Sequence, residues 1–396
     1  MKKLHLLGIS LFCATLFAQT EVTTVTPEIE GSGGLCLDAD GNLYIADFGD
    51  SLSGPDPDGI PNNIQVLDTD QNLSIFSTGF IGASGNNFDN NGTLHQSDIF
   101  ASGIYKIVGG VRTLVTADGI VAPVGVVFDS NDNFYVCNCG NNTIRKVTPG
   151  GTSTLFSSGS EFACPNGITI DEDDNLYVVN FSNTNVVKVD PAGTPTIIAN
   201  TLAGNGHIDY DPQTKNLYVA SFAGQQIFYF NKDNPVRKLL SGTAGVRGND
   251  DGDVGNATFS NPNGIAVTQT GDSIYVNSAV ATTGVALNPQ YVRLITGVLD
   301  FLSVNDNDAI KYEVKAYPNP AESEFTIESN LQFDHSNLNI TMYDITGAKL
   351  FEETELSTSN QYLKARIDIS GLASGAYFYT LSDGRRQLFN GKLIKQ

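Results

Sequence analysis

The sequence contains no tryptophan and only four histidines among its 396 residues. Without tryptophan it lacks the best apolar platform for a sugar ring, which counts against carbohydrate stacking. Because only three histidines follow residue 18, a zinc site built on several imidazoles is also disfavoured. A Gly-x-Ser-x-Gly elbow, a His-Glu-x-x-His helix and a Gly-rich phosphate loop ending in Lys are all missing. The sequence therefore offers none of these widespread catalytic motifs.

Basic residues are scarce, with 22 Lys and Arg against 43 Asp and Glu, for a formal net charge of −21. Residues 19–310 hold 11 basic and 32 acidic side chains, whereas residues 311–396 hold 9 and 11. This uneven division predicts two domains. The acidic first part argues against nucleic acid or an anionic membrane as a partner. It is compatible with a divalent cation such as calcium, or simply with a well-solvated surface.

Long apolar runs are also rare. The only candidate, residues 4–17, is too short to span a bilayer, follows Lys2 and Lys3, and ends at Leu16-Phe17-Ala18. These features predict a secretory signal peptide over residues 1–18 and no transmembrane segment. An exported chain can oxidise its cysteines.

A repeated phrase dominates the rest of the first part. Asp171 to Asn180, which reads DEDDNLYVVN, has five degraded copies and so marks six units, with the Tyr44 position repeating at steps of 51, 40, 42, 41 and 57 residues. Such a period, with four short strands per unit, predicts an all-β fold with a six-bladed β-propeller over residues 19–300. Blade six lacks a clear fourth strand, so we expect Val22 to Val25 to complete it and to remove an open sheet edge.

The repeat resembles the NHL family of propellers. The resemblance lies in Asn261 to Val267, which reads NPNGIAV, and in the Asn-Leu-Tyr-Val phrases. It implies six blades, but it does not imply an activity, since this fold hosts unrelated functions.

The composition changes after a polar linker at residues 301–312. Residues 313–396 contain Tyr317 to Pro320 (YPNP), Met342 to Lys349 (MYDITGAK) and a final Gly391 to Lys395 (GKLIK). In that order the phrases resemble the type A C-terminal sorting domain of the type IX secretion system of Bacteroidetes. The alternating strands predict a small Ig-like β-sandwich. The resemblance implies the secretion machinery and its sortase as partners, and an extracellular or outer-membrane surface location.

In a propeller, the starts of the inner strands and the ends of the second strands meet on one face, which is the default ligand site. Amide and carboxylate oxygens at these positions suit a hard cation or a hydroxylated ligand. The same side chains also commonly satisfy the backbone at the crossing between blades. The candidate ligand-binding residues are Asp47, Asp98, Asn138, Asn166, Asn180 and Asn263.

His207 is the candidate catalytic residue, because it stands at an inner-strand start and imidazole can transfer protons near neutral pH. The SMP-30 and gluconolactonase propellers are distantly similar, and the similarity implies a metal-holding role for Asn166. This chain departs from them at Gly33, where they carry Glu. The leading hypothesis is therefore a secreted or cell-surface propeller that binds a protein, glycan or small ligand. The alternative is a divalent-metal-dependent hydrolase of the lactonase type.

Two further local features of the sequence concern calcium binding and disulfide pairing. Asp56 and Asp58, followed by Gly59, resemble a fragment of a thrombospondin type 3 calcium loop, although a rigid Pro-Gly loop would have the same composition. In the blade register, Cys139 and Cys164 fall on one rim, which predicts a disulfide between them.

Overall fold

Short strands dominate the computed structural model, which describes residues 20–396 except 57–58, 202–203, 285, 306–313, 331–337, 355, 357, 360–361 and 383–386. The chain divides into two units, residues 1–301 and 302–396, each described by itself. The expected signal peptide and Asp58 lie outside the described residues. No helix within the described ranges is long and apolar enough to cross a membrane.

The first unit consists of six antiparallel sheets, which are the predicted blades. Their alternating, β-branched segments pair in sequence order within each blade, as the two-residue period requires. Blade one comprises Leu35–Leu37, Leu43–Ala46, Asn62–Leu67 and Leu73–Phe80. Blade two comprises Ala83–Phe88, Leu94–Asp98, Gly103–Val108 and Val111–Thr116. Blade three comprises Pro123–Phe128, Phe134–Asn138, Thr143–Val147 and Ser153–Ser158, with a 3₁₀ turn at Cys139–Asn141.

Blade four comprises Pro165–Ile170, Leu176–Asn180, Asn185–Val189 and Pro195–Asn200. Blade five comprises Ile208–Asp211, Asn216–Ser221, Gln226–Asn231 and Asn234–Ser241. Blade six comprises Ile265–Val267, Ser273–Ala279 and Gln290–Thr296, joined by the strands Glu21–Thr24 and Gly252–Asp253 from elsewhere in the chain.

The N-terminal strand completes blade six. Val22 lies opposite Ile295 in an antiparallel pair, and Gly252–Asp253 flanks the other side of this strand. The guanidinium of Arg293, fully buried, donates to Asp251 at 2.6 Å, and Asp251 accepts from the Thr24 amide at 3.0 Å. Pairing the two ends of the propeller chain protects a sheet edge that would otherwise be open.

The Asp-rich phrases between first and second strands form turns. Asp171 Oδ1 accepts hydrogen bonds from the amides of Asp173 and Asn175 at 3.0 and 2.9 Å. Asp38 and Asp129 use their carboxylates in the same way. These are Asx turns, in which the side chain replaces a backbone acceptor. Their carboxylates are therefore committed to local structure.

One disulfide joins Cys139, just after the second strand of blade three, to Cys164 in the crossing to blade four. It is the pairing expected from the blade register. Cys36 and Cys137 are free and buried.

The second unit is a small β-sandwich. One sheet contains Val314–Tyr317, Glu324–Asn330, Tyr362–Asp368 and Thr358–Ser359, in that order. The other contains Lys349–Glu353, Asn339–Tyr343, Gly375–Ser382 and Gln387–Lys395. Inward-facing side chains from both sheets, including Phe325 and Met342, share one apolar core. The fold is thus all-β, a propeller followed by a sandwich, as predicted.

A helix, Val298–Asn305, stands where the polar linker was expected to begin. Its first residues are apolar, and Val298 and Leu302 are buried. The helix therefore includes residues 301–305 of the expected linker. Residues 306–312 of the expected linker lie outside the described ranges.

Candidate functional site

The six inner strands surround a narrow channel, because each carries a glycine near its start. A Cβ atom on Gly85 would lie 2.4 Å from the carbonyl oxygen of Val124, and one on Gly206 would lie 2.5 Å from that of Asn263. No side chain fits such a gap, so glycine lets neighbouring inner strands approach closely. Glycine stands at the equivalent position of five blades, at Gly34, Gly85, Gly125, Gly167 and Gly264, whereas in blade five His207 takes that position and Gly206 precedes it.

At the start end of the channel, the expected ligand residues pair with backbone groups of the blade crossings. The Asp98 carboxylate accepts hydrogen bonds from the amides of Ile81 and Gly82 at 2.9 and 3.1 Å. Asn138 accepts from the Val121 amide and donates to the Gly119 carbonyl. Each side chain caps the crossing of its own blade, which is the structural role that polar residues at strand ends commonly take.

Asn180 behaves in the same way, but Asp47 does not. Asn180 accepts from the Ala163 amide at 3.1 Å and donates to the Glu161 carbonyl at 2.9 Å. Asp47 accepts from the side chain of Asn288 at 2.8 Å, and burial raises its pKa to about 6. Asn180 therefore caps the crossing of its own blade, whereas Asp47 joins blade one to a loop of blade six.

Asn166 and Asn263 join neighbouring inner strands. The Asn166 amide donates to the carbonyls of Asn205 and Gly206 at 3.0 and 2.9 Å, and the Asn263 amide donates to that of Ser32 at 2.6 Å. Their amide nitrogens therefore help to close the ring of blades.

Among the described residues, no three His, Cys, Asp or Glu side chains are grouped so that they could hold a metal ion. The Asp56 carboxylate accepts a hydrogen bond from the Asp50 amide at 2.7 Å, which orders the loop it belongs to. Asp58, its expected partner in a calcium loop, lies outside the described residues. The residues present do not fit a metal centre at this end of the channel.

A cavity of about 280 Å³ lies in the channel and is lined by the inner strands of all six blades. Ala39 and Gln269, just beyond the ends of two of these strands, line it and are exposed, so the cavity opens at the end of the channel opposite the crossings above. Of the expected site residues, His207 alone lines it. The polar lining side chains are Cys36, Asp38, Asn86, Asn87, His207, Asp209 and Gln269.

His207 reaches from blade five across the channel. Its Cε1 atom lies 3.3 Å from the point that a Cβ atom on Gly34 of blade one would occupy. The side chain is buried, and Nε2 has no hydrogen-bond partner among the described residues. Burial lowers the pKa of the imidazole to about 4, because the charged form loses its hydration. At neutral pH the ring is therefore uncharged.

Asn86 of blade two is the second unusual lining residue. It is 6% exposed, and neither atom of its side-chain amide has a partner in the described part of the chain. Asn86 lies opposite Gln96 in the blade, where the other blades pair two apolar residues, as in Val126 with Val136. Blades two and five are three apart in a ring of six, so Asn86 and His207 come from opposite walls.

Asp209 contributes a carboxylate to the same cavity. It is partly buried and accepts hydrogen bonds from the amides of Val267 and Tyr210, both at 2.8 Å. Burial raises its pKa to about 6, an effect that these hydrogen bonds only partly offset. The Cys36 thiol also lines the cavity, and its pKa is raised by burial and by the charges of Asp209 and Asp38.

Sequence reasoning missed Asn86, Asp209 and Cys36, because it considered only the starts of the inner strands and the ends of the second strands. A usable signal was present in the blade register. The position of Asn86 is apolar in every other blade, and the corresponding residues are Leu35, Val126, Ile168, Ile208 and Ile265.

Two family models match parts of the chain. Residues 315–396 match the secretion system C-terminal sorting domain, and residues 122–147, which include the first three strands of blade three, match the NHL repeat. A comparison with curated protein sequences gives no match.

Solved structures share the propeller fold. A protein of unknown function from Bacteroides thetaiotaomicron aligns with a TM-score of 0.56 at 13% identity, covering 70% of this chain and 76% of that one. An auxiliary nutrient binding protein from the same organism gives 0.55 at 14% identity, covering 70% and 76%. A gluconolactonase from Xanthomonas campestris gives 0.52 at 14% identity, covering 72% and 92%. At such identities the likeness establishes the fold alone. The chain thus carries an NHL repeat within its β-propeller and a secretion system C-terminal sorting domain, and it is exported to the cell surface or beyond.

Proposed function

We propose that this exported propeller is a binding protein that holds a small polar ligand in its central channel. The observation that carries the proposal is that Asn86 and His207, which line the cavity, each bury side-chain polar atoms that have no partner among the described residues. Buried polar groups in folded proteins are nearly always hydrogen-bonded. Unpaired ones on opposite walls of a cavity therefore support a partner that comes from outside the chain.

The free-energy cost of burying Asn86 without a partner also supports a bound ligand. A buried polar group without a partner costs about 1 to 3 kcal/mol. Five blades avoid this cost with Leu, Val or Ile at the position where blade two keeps Asn86. A ligand bearing hydroxyl or amide groups would satisfy the amide, which offers both donors and an acceptor. The neutral imidazole adds a donor or an acceptor, according to its tautomer.

The alternative, a divalent-metal-dependent hydrolase, receives no support from the side chains of Asp98, Asn138 and Asn180, which bind the backbone at the start end of the channel. It predicts turnover of lactones or esters that a chelator abolishes. Such turnover by the exported protein, lost in His207→Gln, would replace the binding proposal with the enzymatic one.

Ligand binding can be followed at His207 itself. In protein carrying ¹³C-labelled histidine, the Cε1–H signal of His207 is assigned by its loss in His207→Gln. A panel of small polyols, amides and amines is then titrated at pH 7. We expect at least one class of probe to shift this signal and to leave the His95 signal in place.

Variants of the same blade supply the matched control. Asn86→Val, which copies the residue of blade three, should weaken the effective probe by at least tenfold. Asn91→Ala removes an exposed asparagine of blade two outside the cavity and should bind as the parent does. Equal loss in both variants, or no shift by any probe in the parent, would overturn the proposal.

A further inference from the structure

Resting on the binding function proposed above, we further propose that the channel selects cationic ligands, such as small amines, over neutral or anionic molecules of the same shape. The selectivity comes from the charges on the wall. Asp38 and Asp209 line the cavity, and no described residue that lines it is Lys or Arg. An anion in this channel would face carboxylates without a compensating cation, whereas an ammonium group would be attracted to them.

Asp209 is the carboxylate best placed to recognise a cation. Thr169 on one neighbouring inner strand and Val267 on the other donate to its two oxygens, which fixes the carboxylate at the channel wall. It forms no ion pair with any described residue. A carboxylate oxygen can accept more than one hydrogen bond, so both remain able to accept from an ammonium group.

The pKa values of Cys36 and Asp209 reflect the burial and the negative charge at the cavity wall. Burial raises the pKa of the Cys36 thiol, and the charges of Asp209 and Asp38 raise it further; Cys36 lines the same cavity. Burial raises the pKa of Asp209 to about 6, as expected of a carboxylate that loses water without gaining a counter-ion. A bound ammonium group would supply that counter-ion.

His207 carries no charge that would weaken the selectivity for cations. Burial lowers its pKa to about 4, so at pH 7 the imidazole carries no positive charge that would repel an amine. The unpaired amide of Asn86 lies on the opposite wall and can hold a hydroxyl or second amine group. Together these residues fit a short molecule with an ammonium group at one end and a polar group at the other.

Four probes of equal length separate charge from shape: 3-hydroxypropanoate, propane-1,3-diol, 3-aminopropan-1-ol and propane-1,3-diamine. Their affinities for the full exported protein are measured at pH 7 and low ionic strength by the His207 Cε1–H signal. We expect 3-aminopropan-1-ol to bind at least tenfold more tightly than the diol, and the hydroxy acid to bind most weakly. In Asp209→Asn the tenfold difference should shrink towards unity while the diol keeps its affinity.

The outcomes are distinct for the two proposals. Equal or tighter binding of the diol in the parent protein would overturn the charge selectivity and leave the binding function standing. If no probe shifts the His207 signal, or if all shift it equally in Asn86→Val, the binding function falls as well. The comparison of probes in the parent does not depend on whether Asp209→Asn folds.

Discussion

The blade crossings and the channel cavity carry the same kinds of side chain and use them differently. At the start end, the side-chain amides of Asn180 and Asn277 form hydrogen bonds with backbone groups of the crossings. Further along the channel, Asn86 and His207 bury polar atoms that find no partner in the described structure. An asparagine that recurs from blade to blade therefore stabilises the fold. An asparagine that replaces an apolar residue in one blade is available to a ligand.

The largest effect should come from removing a side chain at the paired end. Asn277 accepts from the Gly264 amide at 2.6 Å and donates to the carbonyls of Gly31 and Gly33, both at 2.7 Å. Asn277→Ala would leave these buried groups unpaired in two blades. We expect the free energy of unfolding, measured with urea, to fall by about 3 to 5 kcal/mol.

A matched control substitution outside the blade crossings tests whether the loss of stability is specific to the crossings. Asn91→Ala, on an exposed turn of blade two, should change the free energy of unfolding by less than about 0.5 kcal/mol. If Asn277→Ala were as mild as Asn91→Ala, the side chains at the start end would not be structural. The contrast between the two ends would then fail.

The second effect is a pH dependence that originates in His207. Its pKa is about 4 in the folded protein and near 6.5 when unfolded, so the unfolded chain binds an extra proton between these values. Folding stability contributed by the neutral imidazole is therefore present above pH 6.5 and is lost as the pH falls towards 4. Between pH 7.5 and 4.5 the loss should be roughly 2 to 3 kcal/mol.

The measurement compares the parent with His207→Gln at both pH values. Asp47 and Asp209 act in the opposite sense, because their raised pKa values favour the folded state as the pH falls through about 6. Both acids are present in both proteins, so their contributions cancel in the difference. A variant that loses as much stability as the parent on acidification would show that His207 is not buried in its neutral form.

Much of the fold was predictable because each blade repeats the same local rules. The Asn-Leu-Tyr-Val phrase marks a second strand, an Asx turn precedes it, and an orphan third strand in blade six requires the N-terminal strand Glu21–Thr24 as its partner. The sorting domain was recognisable from its phrases and matches a family model over residues 315–396.

The site was harder to predict, since it depends on distances across the ring. Sequence register shows that His207 departs from the repeat, but it does not show that the side chain reaches Gly34 two blades away. Nor does it show that the cavity opens at the end opposite the crossings, where Asp209 lies. A polar residue at an apolar register position, as at Asn86, is a second signal that the sequence alone contained.

The most direct test of the central claim is the free energy of unfolding of Asn86→Val without any ligand. The substitution removes two buried polar atoms that have no partner in the described structure and installs the side chain that blade three carries at Val126. If Asn86 serves a ligand rather than the fold, stability should rise by about 1 kcal/mol. A fall of 1 kcal/mol or more would show that Asn86 supports the scaffold, and would contradict the account.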